Sequence, residues 1–242
     1  MTGDHGILLL GRHAELDRIL QRLDQRAPAF VLLTGETGAG KSSLLRAAAS
    51  AAETKGWRTI GLNEGGFGLT VDPSMSEHLF VERMLELVRE PASPWQRTPD
   101  VEAHVTIASR EPWRSEVLGL ARELGEHAPL VVVIDGFRPS EDFAAAFIRL
   151  AGRVRQGRSP IVLLVGARPV EAELISRTAD DVIELGPLDE EPIRRYFEEL
   201  ELVPELTRAE IDSYVEHAVK RPDSAVALAR VLTLAEVRTQ SP

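Results

Sequence analysis

The chain has 242 residues, a length that suits one large α/β domain with a small appendage. Its 43% hydrophobic and 27% charged residues are typical of a globular protein with a sizeable core, which excludes an intrinsically disordered chain. The chain contains no cysteine, so disulfides and thiolate metal sites are excluded. Its net charge of -10 disfavours a nucleic-acid partner, because an acidic protein repels phosphates.

The hydrophobic segments of the chain are short. Runs such as residues 130–134 and 161–165 hold about five residues, far fewer than the ~20 that a membrane-spanning helix needs. Near the N-terminus, Asp4 and His5 stand in place of a basic region, and the apolar stretch that follows is too short for a secretion signal. We therefore expect a cytoplasmic protein with no membrane contact.

Five aliphatic runs alternate with segments of helical periodicity along the chain. This alternation predicts an α/β fold, with a parallel sheet covered by helices on both faces. A helix is predicted first, over residues 14–25, where apolar side chains share one stripe. The predicted strands cover residues 29–34, 58–62, 130–135, 161–166 and 181–185.

A long insertion separates the second and third predicted strands. It holds a predicted helix over residues 76–89 and a connector in which repeated prolines prevent a helix. Trp95 and Trp113 lie in or near this insertion, where they either anchor a partner or fold back onto the core. After Leu185 the periodicity is helical only. We therefore divide the chain into an α/β core over residues 1–188 and a helical lid over residues 189–242.

The segment from Gly35 to Ser42 fits the phosphate-binding pattern G-x-x-x-x-G-K-[ST] without a mismatch, between a buried strand and an Ala/Leu-rich helix. Its glycines let successive backbone N–H groups point at phosphate oxygens, and the helix dipole adds to the attraction. We expect Lys41 to bridge the β- and γ-phosphates of ATP, and Ser42 to bind Mg²⁺. The predicted contacts to ATP or ADP in this region are Gly35, Thr37, Gly38, Ala39, Gly40, Lys41, Ser42 and Ser43.

Two further strands end in residues suited to the same chemistry. The apolar strand over residues 130–134 ends in Asp135, which is predicted to hold Mg²⁺ through water, although strand-end aspartates also start turns and cap helices. The strand over residues 161–166 is followed by Arg168, placed to reach the γ-phosphate. Lys41, Asp135 and Arg168 are therefore the predicted catalytic residues.

Together these motifs resemble the STAND branch of the AAA+-related P-loop ATPases, especially its NACHT-type members, over nearly the whole chain. Residues 11–16 resemble the Gly-Arg-x-x-Glu-Leu segment that opens such domains, and residues 183–188 resemble the strand that leads into their helical lid. Residues 221–225 resemble a degraded Gly-Leu-Pro-Leu motif. The resemblance implies a five-stranded, AAA+-like (ASCE) core with a C-terminal lid, with Arg12 near the adenine and Pro222 against the base.

One departure from this family bears on hydrolysis. Residues 135–137 resemble the start of its Walker B variant, yet Arg138-Pro139 stands where NACHT relatives carry Asp-Glu. The usual water-activating carboxylate is therefore missing, and Glu36, Glu141 or Asp142 would have to replace it. Since general-base assistance contributes ~10² to 10⁴ in rate, we expect slow or absent hydrolysis.

The function that these features favour is an ATP-dependent switch or assembly module, in which ATP closes the lid and creates a surface for a protein partner or for self-association. An active AAA+-type ATPase that loads or remodels nucleic acid or protein is the first alternative, and a small-molecule kinase is the second. Members of the STAND branch commonly continue into a winged-helix domain and a repeat or effector domain. We therefore expect either a piece of a longer protein or a subunit that acts on partners in trans.

Overall fold

The structure, a computed structural model, describes five parts of the chain: residues 11–61, residue 71, residues 75–89, residues 113–187, and eight positions between 189 and 216. The eight positions are 189–191, 194, 212, 213, 215 and 216, and residues 113–116 are described by their backbone alone. The predicted site residue Pro222, the side chains of both tryptophans of the insertion, and most of the predicted lid lie outside the described residues.

Helices and parallel strands alternate through the described residues. The helices are α1 (His13–Asp24), α2 (Lys41–Thr54), α3 (Glu77–Arg89), α4 (Trp113–Glu126), α5 (Glu141–Gln156) and α6 (Pro169–Glu173), with a 3₁₀ turn at Ser176–Thr178. The strands are β1 (Ala29–Thr34), β2 (Arg58–Ile60), β3 (Leu130–Phe137), β4 (Ile161–Ala167) and β5 (Asp181–Glu184). None of the described helices combines the length and the hydrophobicity needed to cross a membrane.

The five strands form one parallel sheet in the order β2-β3-β4-β1-β5, which confirms the predicted five-stranded α/β core. β1 lies between β4 and β5, with Thr34 opposite both Ala167 and Glu184. Because parallel strands all point the same way, the segments that follow these three strands emerge together at one edge of the sheet.

Each face of the sheet is buried under its own set of helices, as the alternation of strands and helices predicts. On one face, Phe30 and Leu32 of β1 join a core with the buried residues of α3, α4 and α5. On the other face, Val31 and Leu33 pack with α1 and α2. β1 is therefore buried on both faces, which explains its unbroken aliphatic sequence.

Four strands end at different places from those predicted: β4 and β5 by one residue each, and β2 and β3 by two. β3 continues through Phe137, beyond the predicted end at residue 135, with a register shift against β4 and a left-handed Gly136 at φ +70°. The reason is hydrophobic: Phe137 is fully buried, and its ring lies 6.0 Å from that of Phe143 and 4.9 Å from that of Phe147. β2 ends at Ile60, because Gly61 turns the chain away at φ +93°.

The turn at Gly61 provides a test of how tightly the sheet is packed. A β-carbon on Gly61 would lie 2.1 Å from the carbonyl oxygen of Val133, and its φ is one that side chains disfavour. Gly61→Ala should therefore lower the free energy of unfolding by at least about 1–3 kcal/mol, measured by chemical denaturation.

The matched control is Gly119→Ala on α4, where an added β-carbon meets no atom within 4 Å. This substitution should leave the free energy of unfolding unchanged or raise it by about 0.5–1 kcal/mol, since alanine is the better helix former. Equal stability of the Gly61→Ala variant and the wild-type protein would contradict the close approach of residue 61 to β3.

Candidate functional site

The predicted phosphate-binding loop, residues 35–42, connects the end of β1 to the start of α2 at the carboxyl edge of the sheet. Gly38 and Gly40 take left-handed φ values of 86° and 92°, and Gly40 is the residue that precedes the helix. This backbone exposes the N–H groups of the first turn of α2, together with the positive end of the helix dipole. The loop therefore has the form of an anion site.

Lys41 opens α2 and folds back over this loop. Its Nζ donates hydrogen bonds to the backbone carbonyl oxygens of Gly35 (2.7 Å) and Glu36 (2.9 Å). Burial lowers the pKa of the Lys41 ammonium, and the negative charges of Asp135 and Glu36 oppose that shift. Phosphate oxygens would give this ammonium charged acceptors, which bind more strongly than carbonyl groups.

Asp135 lies buried in β3 at the carboxyl edge of the sheet, with 6% of its surface exposed. Its carboxylate fits beside the backbone of β4, since a β-carbon on Gly166 would come within 3.1 Å of Asp135 Oδ1 and 3.0 Å of Leu45 Cδ1. None of the described residues donates a hydrogen bond to this carboxylate. Together with the hydroxyl of Ser42 in the first turn of α2, it provides the oxygen donors that Mg²⁺ takes beside phosphate groups.

Arg168 follows β4 and pairs with a carboxylate that the sequence reasoning missed. Its Nε donates to both Glu171 oxygens, at 3.0 and 3.1 Å, and its Nη2 also donates to Oε1. These bonds hold the pKa of the Glu171 carboxyl below its ordinary value, although burial acts in the opposite direction, and they raise the pKa of Arg168. Ala167, directly before Arg168, pairs with Thr34, directly before the loop, which places the pair beside the loop.

Arg12 is almost fully buried and joins three parts of the chain. Its Nη1 donates to Glu15 Oε1 at 3.0 Å, and its Nη2 donates to the carbonyl oxygens of Ala39 (3.2 Å) and Gly186. Ala39 belongs to the phosphate-binding loop, and Gly186 lies after β5, where the chain leaves the sheet. Arg12 therefore ties the loop to the start of the C-terminal segment.

A cavity of about 720 Å³ opens beside the loop. The loop and the end of β1 form one wall, and α6 with the segment after β5 forms the other. Its size lies within the ~300–1,000 Å³ that small-molecule sites usually occupy. The Thr34 hydroxyl in this wall is buried and finds no hydrogen-bond partner in the described part of the chain. The cavity thus combines a large volume with one unsatisfied hydroxyl, that of Thr34, directly before the loop.

The sequence model of the AAA ATPase domain matches residues 8–142, which is more than half of the chain and includes the loop and Asp135. The chain belongs to the AAA ATPase domain family. Its site is therefore that of a nucleotide-binding AAA+ module, with the loop as the phosphate-binding element.

Solved structures share the fold of this AAA ATPase domain at low sequence identity. Domain III of the Thermotoga maritima replication initiation protein DnaA matches with a TM-score of 0.55 and 11% identity, over 98% of this chain and 89% of that one. The replication initiator DnaA bound to AMPPCP and single-stranded DNA matches with 0.55 and 16%, over 94% and 63%. A chain of the E. coli MS115-1 HORMA:CdnC:Trip13 complex matches with 0.51 and 14%, over 86% and 72%.

A search among curated proteins gave no match. The solved structures support the AAA+ fold, and the sequence match to the AAA ATPase domain supports nucleotide binding. The chain spans 63% of the DnaA chain that was solved with AMPPCP.

The AAA ATPase domain brings most of the predicted site residues to one edge of the sheet. The charges of Asp135 and Arg168 both act on Lys41, and Thr37 lines the cavity. Ser42 and Ser43 are half-buried in the first turn of α2. The roles of these residues in binding ATP stay predictions.

Sequence reasoning missed Glu171 and Gly166. An arginine and a glutamate three residues apart at the start of a helix are a recognisable ion-pair signal, so Glu171 could have been found. The role of Gly166 follows from its approach to Asp135 on another strand, which the sequence does not encode locally.

The contacts of Arg12 predict a structural effect in the absence of nucleotide. Arg12→Ala should lower the free energy of unfolding of this AAA ATPase domain by about 1–3 kcal/mol, because the carbonyls of Ala39 and Gly186 lose a charged donor. The matched control is Arg18→Ala in α1, which follows Arg12. It removes a half-exposed ion pair with Asp181 and should change the free energy of unfolding by less than about 1 kcal/mol.

Chemical denaturation of the nucleotide-free variants measures both effects. Unchanged stability of Arg12→Ala together with weaker ATP binding would show that Arg12 contacts nucleotide and does not join the two segments.

Proposed function

We propose that this AAA ATPase domain is an ATP-dependent switch of the STAND branch, NACHT-like in type, which hydrolyses ATP slowly or not at all. The observation that supports this proposal is the path of the chain after Asp135. Gly136 carries no side chain, Phe137 is buried in the core, and Arg138 is exposed. The position where NACHT relatives carry a water-activating carboxylate therefore holds none.

The other carboxylates near the loop are poorly suited to replace that base. Glu141 and Asp142 lie exposed in the first turn of α5, where they stabilise the helix dipole. Glu36 is exposed on the loop. Glu171 is held by Arg168, and a carboxylate stabilised in this way is a weak base. Catalysis would therefore depend on positioning and charge alone.

ATP and Mg²⁺ are the proposed ligands of the site. The backbone of residues 35–43 and the Lys41 ammonium would bind the phosphates, and Ser42 with Asp135 would hold the ion. Mg²⁺, when bound, neutralises charge on the β- and γ-phosphates. On the nucleoside side, the cavity next to Ala39 and Gly186 has room for the base and ribose, with Arg12 supporting its wall.

The γ-phosphate is the only difference between ATP and ADP, so a switch needs a group that contacts it. Arg168 is that group in our proposal, because β4 lies beside β1 and Arg168 emerges next to the loop. A charge-assisted contact of this kind contributes about 1.5–3 kcal/mol, enough to shift a balanced equilibrium ~10-fold or more.

The element that moves in this proposal is a helical lid over residues 189–242. Support for it comes from the described positions of that region, which are helical at residues 190, 191, 194 and 212. Arg194 donates to Glu190 and to Asp212, both at 2.6 Å, and so connects two parts of the segment. The Pro222 region would contact the base. Because Gly186 is tied to the loop through Arg12, a change at the loop has a path to this segment.

The proposed output is binding of a protein partner or self-association in the cytoplasm. The alternative is an active AAA+-type ATPase that loads or remodels nucleic acid or protein. In its favour, this domain shares its fold with DnaA and with a chain of the Trip13 complex. Fold alone does not decide function, and a net charge of -10 disfavours nucleic acid.

Hydrolysis provides the first test. The Mg²⁺-dependent release of phosphate from ATP should stay below roughly one turnover per minute, since only positioning and charge lower the barrier. Glu36→Gln and Glu141→Gln should each change this rate less than about twofold, because neither carboxylate acts as the base. Several turnovers per second in the wild-type protein, lost in one of these variants, would identify the base and favour the remodelling ATPase.

Nucleotide-dependent motion provides the second test. Hydrogen exchange over residues 189–242 should slow more with a non-hydrolysable ATP analogue than with ADP. Arg168→Ala should bind ADP as the wild-type protein does but lose this ATP-specific protection, because the contact to the γ-phosphate is removed. Lys41→Ala, which should not bind nucleotide, gives the baseline. Equal protection with both nucleotides in the wild-type protein would rule out the switch.

A further inference from the structure

Arg168 and Glu171 form an unequal ion pair at the start of α6. The Arg168 side chain is 49% exposed, whereas that of Glu171 is 11% exposed. Glu171 lies in the first turn of α6, directly before Ala172, which is buried in the core. Glu171 is therefore the fixed member of the pair, and the arginine is the member that reaches outward.

The hydrogen bonds of the pair use one edge of the guanidinium. Nε and Nη2 donate to the Glu171 oxygens, whereas Nη1 donates to none of the residues that the structure describes. A guanidinium has five N–H donors, so three remain. One on each Nη atom forms the Nη1/Nη2 edge, which faces away from Glu171, and the third, on Nη1, lies on the side of Cδ. The Nη1/Nη2 edge has the spacing to bind two oxygens of one phosphate group.

The pair also lies at the phosphate-binding loop. Ala167, directly before Arg168, pairs with Thr34, directly before the loop. The charges of Arg168 and Glu171 both act on Lys41, and Arg168 also interacts with the charge of Glu36. Arg168 thus begins at the same edge of the sheet as the loop that carries Lys41.

We propose that Glu171 is a positioning residue, which holds Arg168 by its Nε edge so that the remaining edge faces the γ-phosphate of ATP. This inference rests on the proposed function, in which Arg168 senses the γ-phosphate. Arginine has many rotamers, and fixing such a side chain only when the ligand binds lowers affinity roughly 2- to 10-fold. Glu171 fixes it in advance.

The opposite role for Glu171 would be competition. If the carboxylate had to release Arg168 before phosphate could bind, Glu171 would weaken ATP binding. The geometry favours positioning, because Glu171 and a phosphate would use different edges of the guanidinium and need not exclude each other. The two roles predict opposite signs for the effect of removing the carboxylate.

The experiment is a calorimetric titration of the full chain with Mg²⁺-ADP and with a non-hydrolysable Mg²⁺-ATP analogue, and the readout is the ratio of the two Kd values. Glu171→Ala should lower the preference for the ATP analogue roughly 2- to 10-fold with ADP affinity unchanged. Glu171→Gln, which keeps one acceptor and the side-chain volume, should lower it less. In an Arg168→Ala background, Glu171→Ala should have no further effect on the ratio.

Glu126→Gln is the matched control, since it removes an exposed carboxylate at the end of α4 and should leave the ratio unchanged. A thermal melt of each variant shows whether it is folded, so that misfolding is distinguished from misplacement of Arg168. Glu171→Gln is the more conservative substitution if Glu171→Ala does not fold.

Four results would overturn positioning by Glu171. A higher preference for the ATP analogue in Glu171→Ala would show competition. An equal loss of affinity for ADP and for the ATP analogue would show that Glu171 has only a structural role. An unchanged ratio in Glu171→Ala, with a lower ratio in Arg168→Ala, would refute positioning while leaving Arg168 as the sensor. If Arg168→Ala itself leaves the ratio unchanged, the sensor role in the proposed function is wrong, and positioning falls with it.

Discussion

The parallel register of β1 with β4 and β5 is the constraint on which the site depends. Thr34 lies opposite both Ala167 and Glu184, so the phosphate-binding loop, Arg168 and the exit toward the C-terminal segment all start at the same level of one sheet edge. A slip of one residue in either pair would move a whole strand's side chains to the opposite face. Because β1 is close-packed on both faces, such a slip would misplace side chains of different sizes in both cores, and the core therefore holds the register at the site.

The buried polar and charged side chains among the described residues all belong to this edge: Arg12, Thr34, Asp135 and Glu171. Burying such groups is unfavourable unless they are paired, and two of them have hydrogen-bond partners within the protein, although the Arg12 Nε has none among the described residues. Arg12 binds Glu15 and two carbonyl oxygens, and Glu171 binds Arg168. Thr34 and Asp135 lack such hydrogen bonds among the described residues. These two groups have the most to gain from a ligand.

Local sequence was sufficient for the elements of the fold and for the loop, and insufficient for contacts between distant segments. The apolar runs predicted the three central strands β1, β3 and β4, because strands buried on both faces need unbroken apolar sequences. The edge strands β2 and β5 are only partly buried, and shorter β-branched or aliphatic runs predicted them. The loop pattern predicted Lys41, because its chemistry requires fixed spacing. The contacts of Arg12 to Ala39 and Gly186 join residues 27 and 174 positions away, and no local pattern encodes them. The extension of β3 to Phe137 likewise depends on aromatic rings of α5.

The extension of β3 to Phe137 also bears on the proposed function, in which the segment after Asp135 differs from the NACHT-type Walker B pattern while nucleotide still binds. Asp135 keeps its place because Gly166 leaves room for its carboxylate beside β4. Beyond it, Phe137 is drawn into the aromatic cluster with Phe143 and Phe147, and the chain then turns into α5 behind the Ser140 cap. In the proposed function the loop and Asp135 lie before this point and Arg168 follows the next strand, whereas the base found in NACHT-type proteins would lie in the altered segment itself. The proposed function therefore needs a change only in this segment, and it leaves the loop, Asp135 and Arg168 in place.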